Sequence, residues 1–94
     1  MKQMNTEERI VYLRKKVLVH SYIYYVLNDN IIDDNTWSAW AEELEQLQRD
    51  NPSDELFLSD VFKNFDHSTG ANLEYPDWVY DKALQLIRHH YEHR

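Results

Sequence analysis

The sequence predicts a small all-α protein, a bundle of three long helices and one short one built on an N-terminal helical hairpin. Apolar residues recur at three- and four-residue spacings in each long segment, and no segment shows the strict alternation of a half-buried strand. One glycine and two prolines among 94 residues leave few breaks. With 43% apolar residues the chain can bury one modest core, so we expect a single domain over residues 1–94.

The first helix is predicted to begin near Asn5 or Thr6 and to end near Leu27. Asn5 or Thr6 can cap it, and Glu7 and Glu8 place negative charge where the helix dipole is positive. Two apolar rows run along this helix, which predicts burial against more than one neighbour. The rows comprise Ile10, Leu13, Val17, Tyr24 and Leu27, broken by Ser21, and Val11, Leu18, Tyr22 and Tyr25.

A short polar turn over residues 28–30 leads into a second helix, which we expect to run to Asp50. Asn and Asp are typical turn residues, and Asp33 or Asp34 can cap the new helix. The resulting hairpin brings the tyrosines at the end of the first helix close to Trp37. A planar, polar small molecule fits such a junction, although aromatic residues there also serve simply as core.

Two further helices are predicted after Asn51-Pro52, where the second helix must stop. A short one follows Ser53, and a long one begins with Pro76 at its first position. We expect an ordered turn between them at Asp66–Gly70. All three tryptophans should be at least half buried, namely Trp37, Trp40 and Trp78.

Composition narrows the possible functions. The absence of cysteine excludes disulfides and thiolate metal sites, and no apolar run approaches the length of a membrane span. We therefore expect a cytoplasmic protein. A net charge of −7 opposes direct binding to nucleic acid and favours a protein partner with a basic surface. Monomer and homodimer both remain open.

No catalytic or metal-binding arrangement is predicted. The chain has no Cys nucleophile, no glycine-rich phosphate loop, and no Ser placed beside a suitable His and acid. Residues 66–77 resemble a calcium loop only superficially, because the glycine is misplaced and Asp77 stands where Glu is needed. His89 and His93 are four residues apart, but they lack a third ligand.

The hairpin residues follow a recognisable pattern. It comprises Leu13-Arg14, Tyr22-x-Tyr24-Tyr25, Ile32-x-Asp34-x-x-Trp37, Glu43-Leu44, Leu47 and Asn51-Pro52. Over residues 8–52 this pattern resembles the N-terminal subdomain of bacterial NAD-dependent DNA ligases. That resemblance implies a site for the nicotinamide mononucleotide half of NAD. It further implies that Tyr24 stacks on the ligand, that Asp34 binds the nucleotide, and that Trp37 and Tyr25 complete the site.

The sequence also departs from the ligase pattern. Ser38 stands where the family has an aspartate, and the nucleotidyltransferase domain with its catalytic lysine is absent from this chain. The stretch Asp66-x-Ser68-Thr69-Gly70 resembles small phage-encoded relatives of the subdomain. Because Ser38 cannot supply the second carboxylate of the ligase pattern, we expect any binding of NAD or its mononucleotide to be weak.

Three functions stay open at this point. We expect first a non-catalytic, phage- or prophage-encoded protein that inhibits a host or defence protein, or imitates DNA, on the ligase-like scaffold. Its acidic contact residues would be Asp33, Glu42, Glu43 and Glu45. The alternatives are a nicotinamide-nucleotide binding module and an accessory piece of a DNA ligase.

Overall fold

The computed structural model describes residues 4–53, 55–63, 65 and 73–93, and the helices among them confirm the all-α prediction. Helix α1 spans Thr6–Tyr25, α2 spans Asp34–Asp50 and α3 spans Asp77–Glu92. The described residues contain no strand. None of the helices in this part of the chain is long and apolar enough to cross a bilayer.

Helix α1 begins with a reciprocal capping box. The Glu8 backbone N–H donates to Asn5 Oδ1 at 2.9 Å, and the Asn5 N–H donates to Glu8 Oε1 at 3.2 Å. Of the two predicted caps, Asn5 is therefore the one used. The helix ends at Tyr25, two residues before the predicted Leu27, because Asn28 adopts a left-handed backbone with φ of 56°. Asn is among the few residues that tolerate this conformation.

Helix α1 is the central element of the bundle. It packs against α2 on one side and α3 on another, whereas α2 and α3 do not touch each other among the described residues. This arrangement confirms the prediction, from the two apolar rows, of more than one neighbour. The buried apolar core consists of Ile10, Leu13, Val17, Leu18, Val19, Ile23, Ala41, Leu44, Phe62, Val79 and Ala83. The three tryptophans pack around it with most of their surface buried, as predicted.

The segment after Pro52 departs from the prediction of a short helix. Residues 55–63 form consecutive turns rather than a regular helix. Leu58 has φ of 68°, a left-handed conformation that a non-glycine residue adopts only at some cost and that a right-handed helix cannot contain. The segment is held instead by the guanidinium of Arg14, and Phe62 reaches the core.

The last helix begins one residue later than expected. Pro76 has extended backbone and is the N-cap, so Asp77 is the first helical residue. The predicted turn at Asp66–Gly70 lies outside the described residues. The His89 and His93 rings stack on each other with centroids 4.2 Å apart. No group of three or more potential metal ligands occurs among the residues that the structure describes.

Candidate functional site

A cleft of about 200 Å³ lies at the junction of α1 and α2. Its wall is formed by the end of α1, the connecting turn and the first residues of α2. The lining residues are His20, Ser21, Tyr24, Tyr25, Asn30, Ile32, Asp33, Asp34, Trp37 and Ser38. All four residues predicted for ligand binding are in this set, so the hairpin brings together Tyr24, Tyr25, Asp34 and Trp37 as expected. We call this the hairpin cleft.

The aromatic residues of the hairpin cleft differ in how firmly they are held. Tyr24 and Tyr25 meet edge to face with ring centroids 4.9 Å apart, and 52% and 47% of their surfaces are exposed. The Trp37 indole N–H donates to Ser21 Oγ at 3.2 Å, and Ser21 is only 1% exposed. Trp37 is thus a positioned wall of the cleft, whereas the tyrosines offer ring surface to a ligand.

The two aspartates at the start of α2 have different surroundings. Asp33 is the N-cap, and its Oδ1 accepts the Thr36 backbone N–H at 2.7 Å. That hydrogen bond, with further ones from the Thr36 side chain and the Asn35 backbone, holds the pKa of Asp33 below its usual range. Asp34 is exposed, and its carboxylate accepts no hydrogen bond from the side chains or backbone of the described residues. Because Asp33 caps the helix, the carboxylate of Asp34 remains available to a ligand.

His20 forms the inner wall of the hairpin cleft. It is 7% exposed, and its ring lies 5.3 Å from that of Trp40. Burial, with a smaller contribution from the nearby Lys16 charge, lowers the pKa of His20 to about 4. The imidazole is therefore neutral at pH 7. Since no described Lys or Arg lines the cleft either, its charge comes from Asp33 and Asp34 and favours a cationic or neutral ligand.

The acidic residues predicted to contact a protein differ in the contacts that they make within the chain. Glu43 accepts two hydrogen bonds from the Arg9 guanidinium, at 2.7 and 2.8 Å, which lower the pKa of Glu43 and raise that of Arg9. Glu45 pairs with Arg49 at 3.3 Å. With Asp33 engaged as a cap, Glu42 is the member of this set whose carboxylate makes no such contact in the described residues.

Ser21 and Asn30 line the hairpin cleft although neither was predicted to belong to a site. Ser21 interrupts an apolar row of α1, and this interruption was a usable signal, because a polar residue inside such a row needs a hydrogen-bond partner. Asn30 belongs to the turn between α1 and α2, and it lines the cleft because this turn forms part of the cleft wall. Ser38, the position at which the sequence departs from the ligase-like pattern, also lines the cleft and is exposed.

Comparison with known proteins shows what the chain resembles. It is 35% identical to the DNA ligase of Endomicrobium trichonymphae over 75 residues, which are 69% of this chain and 11% of that ligase. Against the DNA ligase of Pseudothermotoga lettingae the identity is 33% over 72 residues, 66% of this chain and 11% of the ligase. No protein-family model and no solved structure matches the chain. The predicted resemblance to a small part of DNA ligases is thus confirmed, and the chain spans only a minor fraction of those enzymes.

Proposed function

We propose that the chain is a non-catalytic binding module whose hairpin cleft takes the nicotinamide end of a nicotinamide nucleotide. The observation that carries this proposal is the Asp34 carboxylate, which has no hydrogen-bond partner among the described residues and shares a cleft with two half-exposed tyrosine rings and with Trp37. The similarity to DNA ligases over two thirds of the chain supports it, because the hairpin pattern resembles the nucleotide-recognition subdomain of such enzymes.

The charge of the hairpin cleft suggests which form of the ligand it prefers. An oxidised nicotinamide ring is a pyridinium cation, and a cation is attracted both to aromatic ring faces and to carboxylates. The described lining residues supply Tyr24, Tyr25, Trp37, Asp33 and Asp34 for these contacts. A reduced nicotinamide ring has lost the charge, so we expect NAD⁺ to bind more tightly than NADH.

The size of the hairpin cleft limits how much of the ligand it encloses. About 200 Å³ is below the roughly 300–1,000 Å³ of pockets that enclose a drug-sized ligand. We therefore expect it to hold the ring and part of the ribose, with the phosphate in solvent. Ser38 supplies no second carboxylate, which removes one charge-assisted hydrogen bond, worth about 1.5–3 kcal/mol. The affinity should accordingly be modest.

Isothermal titration calorimetry with nicotinamide mononucleotide, NAD⁺ and NADH tests the proposal. We expect binding of the mononucleotide and of NAD⁺, weaker binding of NADH, and roughly tenfold or greater loss with Asp34→Asn. Glu42→Gln is the matched control, because Glu42 is an exposed acid of the same helix that does not line the cleft. Absence of binding by both oxidised ligands, or equal loss in the control, contradicts the proposal.

A protein-interaction role on the same scaffold is the second candidate. This candidate is supported by the net charge of −7 and by the exposed position of Glu42, midway along α2. A phage inhibitor and a DNA mimic both belong to this candidate. The salt dependence of partner binding distinguishes this candidate. Capture of a basic partner should weaken steeply as ionic strength rises and should fail with Glu42→Lys. Persistence of capture in that variant argues against it.

A further inference from the structure

A second and larger cleft lies on the opposite side of His20, between α1, α3 and the turn segment 55–63. Its volume is about 520 Å³, within the range typical of small-molecule sites. The lining residues are Tyr12, Lys15, Lys16, Val19, His20, Phe57, Trp78, Lys82 and Leu86. We call this the lysine cleft. It shares only His20 with the hairpin cleft.

The lysine cleft carries the opposite charge to the rest of the molecule. Three of the chain's 10 basic residues, Lys15, Lys16 and Lys82, meet at its wall, although the chain as a whole has a net charge of −7. None of the three forms an ion pair with a carboxylate in the described residues. Positive charge concentrated around an apolar floor attracts anions whose other end is apolar.

The aromatic side of the lysine cleft is held in place by a buried group. Phe57 is 51% exposed, and its ring stacks on that of Trp78 at 6.0 Å with an angle of 29° between the planes. Arg14, only 4% exposed, donates to the Phe57 carbonyl at 3.0 Å and to Ser59 Oγ at 3.1 Å. Leu58, which lies between Phe57 and Ser59 in the sequence, has a positive φ.

This construction keeps an aromatic ring at the surface. The Arg14 guanidinium holds the backbone carbonyl of Phe57 and the side-chain hydroxyl of Ser59, the two residues that flank Leu58. Phe57 lies at the cleft opening, while Phe62 of the same segment is buried. A left-handed leucine costs free energy, and such backbone is found where the surrounding structure requires it, frequently at functional sites. Lys15 Nζ lies 5.6 Å from the centre of the Phe57 ring, so charge and ring surface face the same ligand volume.

We propose that the lysine cleft binds a small organic anion with an aromatic body. Phe57, Trp78 and Leu86 contact the ring system, and the ammonium groups of Lys15, Lys16 and Lys82 hold the acidic group. The ligand class is opposite in charge to the one that the hairpin cleft favours, and this proposal does not rest on the proposed function of that cleft.

Anilinonaphthalene sulfonate is a suitable probe, because it joins an aromatic body to a permanent negative charge. Phenylnaphthylamine, which lacks the sulfonate, is its uncharged counterpart. We expect the sulfonate to bind the native chain at least about fivefold more tightly than the amine, the ratio that corresponds to about 1 kcal/mol of ion pairing at a partly exposed site. Amide NMR shifts should map the sulfonate to residues 15–19 and 82–86.

Three variants test the assignment. Phe57→Ala removes an exposed ring, and the double substitution Lys15→Gln with Lys82→Gln removes two charges; each should weaken sulfonate binding about fivefold or more. Lys63→Gln is the matched control, since Lys63 is an exposed lysine of the neighbouring segment outside the cleft. Unchanged circular dichroism spectra and melting temperatures establish that each variant is folded.

Three results would overturn the proposal. They are equal binding of the charged and uncharged probes, unchanged sulfonate affinity in both cleft variants, and NMR shifts located at Tyr24 and Trp37 rather than on α1 and α3. Failure of nicotinamide nucleotides to bind leaves this proposal intact, because the hairpin cleft and the lysine cleft are separate volumes with only His20 in common.

Discussion

At the scale of single residues, Asp33 and Asp34 show how neighbouring carboxylates come to have separate roles. Asp33 accepts the Thr36 N–H and begins α2, whereas Asp34 extends into the hairpin cleft without such a partner among the described residues. A helix needs one N-cap, so the carboxylate of the second aspartate is not used in capping. Substitutions at these two positions should therefore affect different measurements.

Asp33→Ala should lower the melting temperature at neutral pH, because it removes the side-chain acceptor at the start of α2. Asp33 has a depressed pKa in the folded protein, so its contribution is present above the unfolded value of 3.8 and is lost as pH falls through the folded value. Asp33→Asn should keep the cap and lose this acid sensitivity. Thermal melts at neutral and acidic pH check both, and a melting temperature unchanged in Asp33→Ala refutes the capping role.

His20 should make the protein sensitive to mild acid. Its folded pKa of about 4 is below the usual 6.5, so its contribution to stability is complete above pH 6.5 and is lost as pH falls towards 4. The corresponding loss is about 2 kcal/mol between about pH 7 and about pH 5. His20→Phe keeps a ring against Trp40 and should remove most of this loss. Urea unfolding at the two pH values measures this loss. An equal decrease in the free energy of unfolding in the native protein and in His20→Phe contradicts the assignment.

At the scale of elements, the ion pair between Arg9 of α1 and Glu43 of α2 joins two helices. Both side chains are more than one third exposed, so solvent screens the pair despite its two short hydrogen bonds. We expect a double-mutant cycle with Arg9→Gln and Glu43→Gln to give a coupling free energy of about 0.2–1 kcal/mol, decreasing with salt. Because the pKa of Glu43 in the folded protein is below the usual 4.5, the coupling should persist at pH 4.5 and be lost as pH falls through that lower folded value. A larger, salt-independent coupling contradicts this view.

The three long helices were predictable because their apolar residues repeat with helical period and their ends carry standard signals. Asn5 with Glu8 marks one start, and Asn51-Pro52 marks one end. The segment after Pro52 was not predictable in the same way. Its apolar residues also suit a helix, but hydrogen bonds from Arg14, more than 40 residues earlier in the chain, impose a different backbone. Long-range contacts of this kind override local propensity.

The hairpin cleft was predictable for a similar reason. Tyr24, Tyr25, Asp34 and Trp37 lie within fourteen consecutive residues, 24–37, joined by one short turn, so local geometry already brings them together. The hydrogen bond from Trp37 to Ser21 was not predictable in this way, because it depends on how two helices pair in three dimensions. The lysine cleft was out of reach of sequence reasoning, because it joins residues of α1, α3 and the turn segment that are far apart in the chain.

At the scale of the whole molecule, α1 needs neighbours on two sides to bury its apolar surface. The α1–α2 hairpin alone would expose the apolar surface that Phe62, Val79 and Ala83 cover. We therefore expect a fragment of residues 1–53 to be helical but without a cooperative thermal transition, and to bind hydrophobic dyes non-specifically. Circular dichroism melts of the fragment and the full chain check this. A sharp transition in the fragment would show that the hairpin is a folding unit by itself.

Because the outer helices do not touch in the described part of the chain, the energetics of the two interfaces should separate. Substitutions in distant, unconnected sites usually change the free energy of unfolding additively, to within about 0.3–0.5 kcal/mol. A change in α2 at the hairpin cleft and a change in α3 at the lysine cleft should therefore combine as a simple sum. In an engineering programme, the two clefts can then be altered in parallel libraries and recombined afterwards, with His20 as the shared position to hold constant.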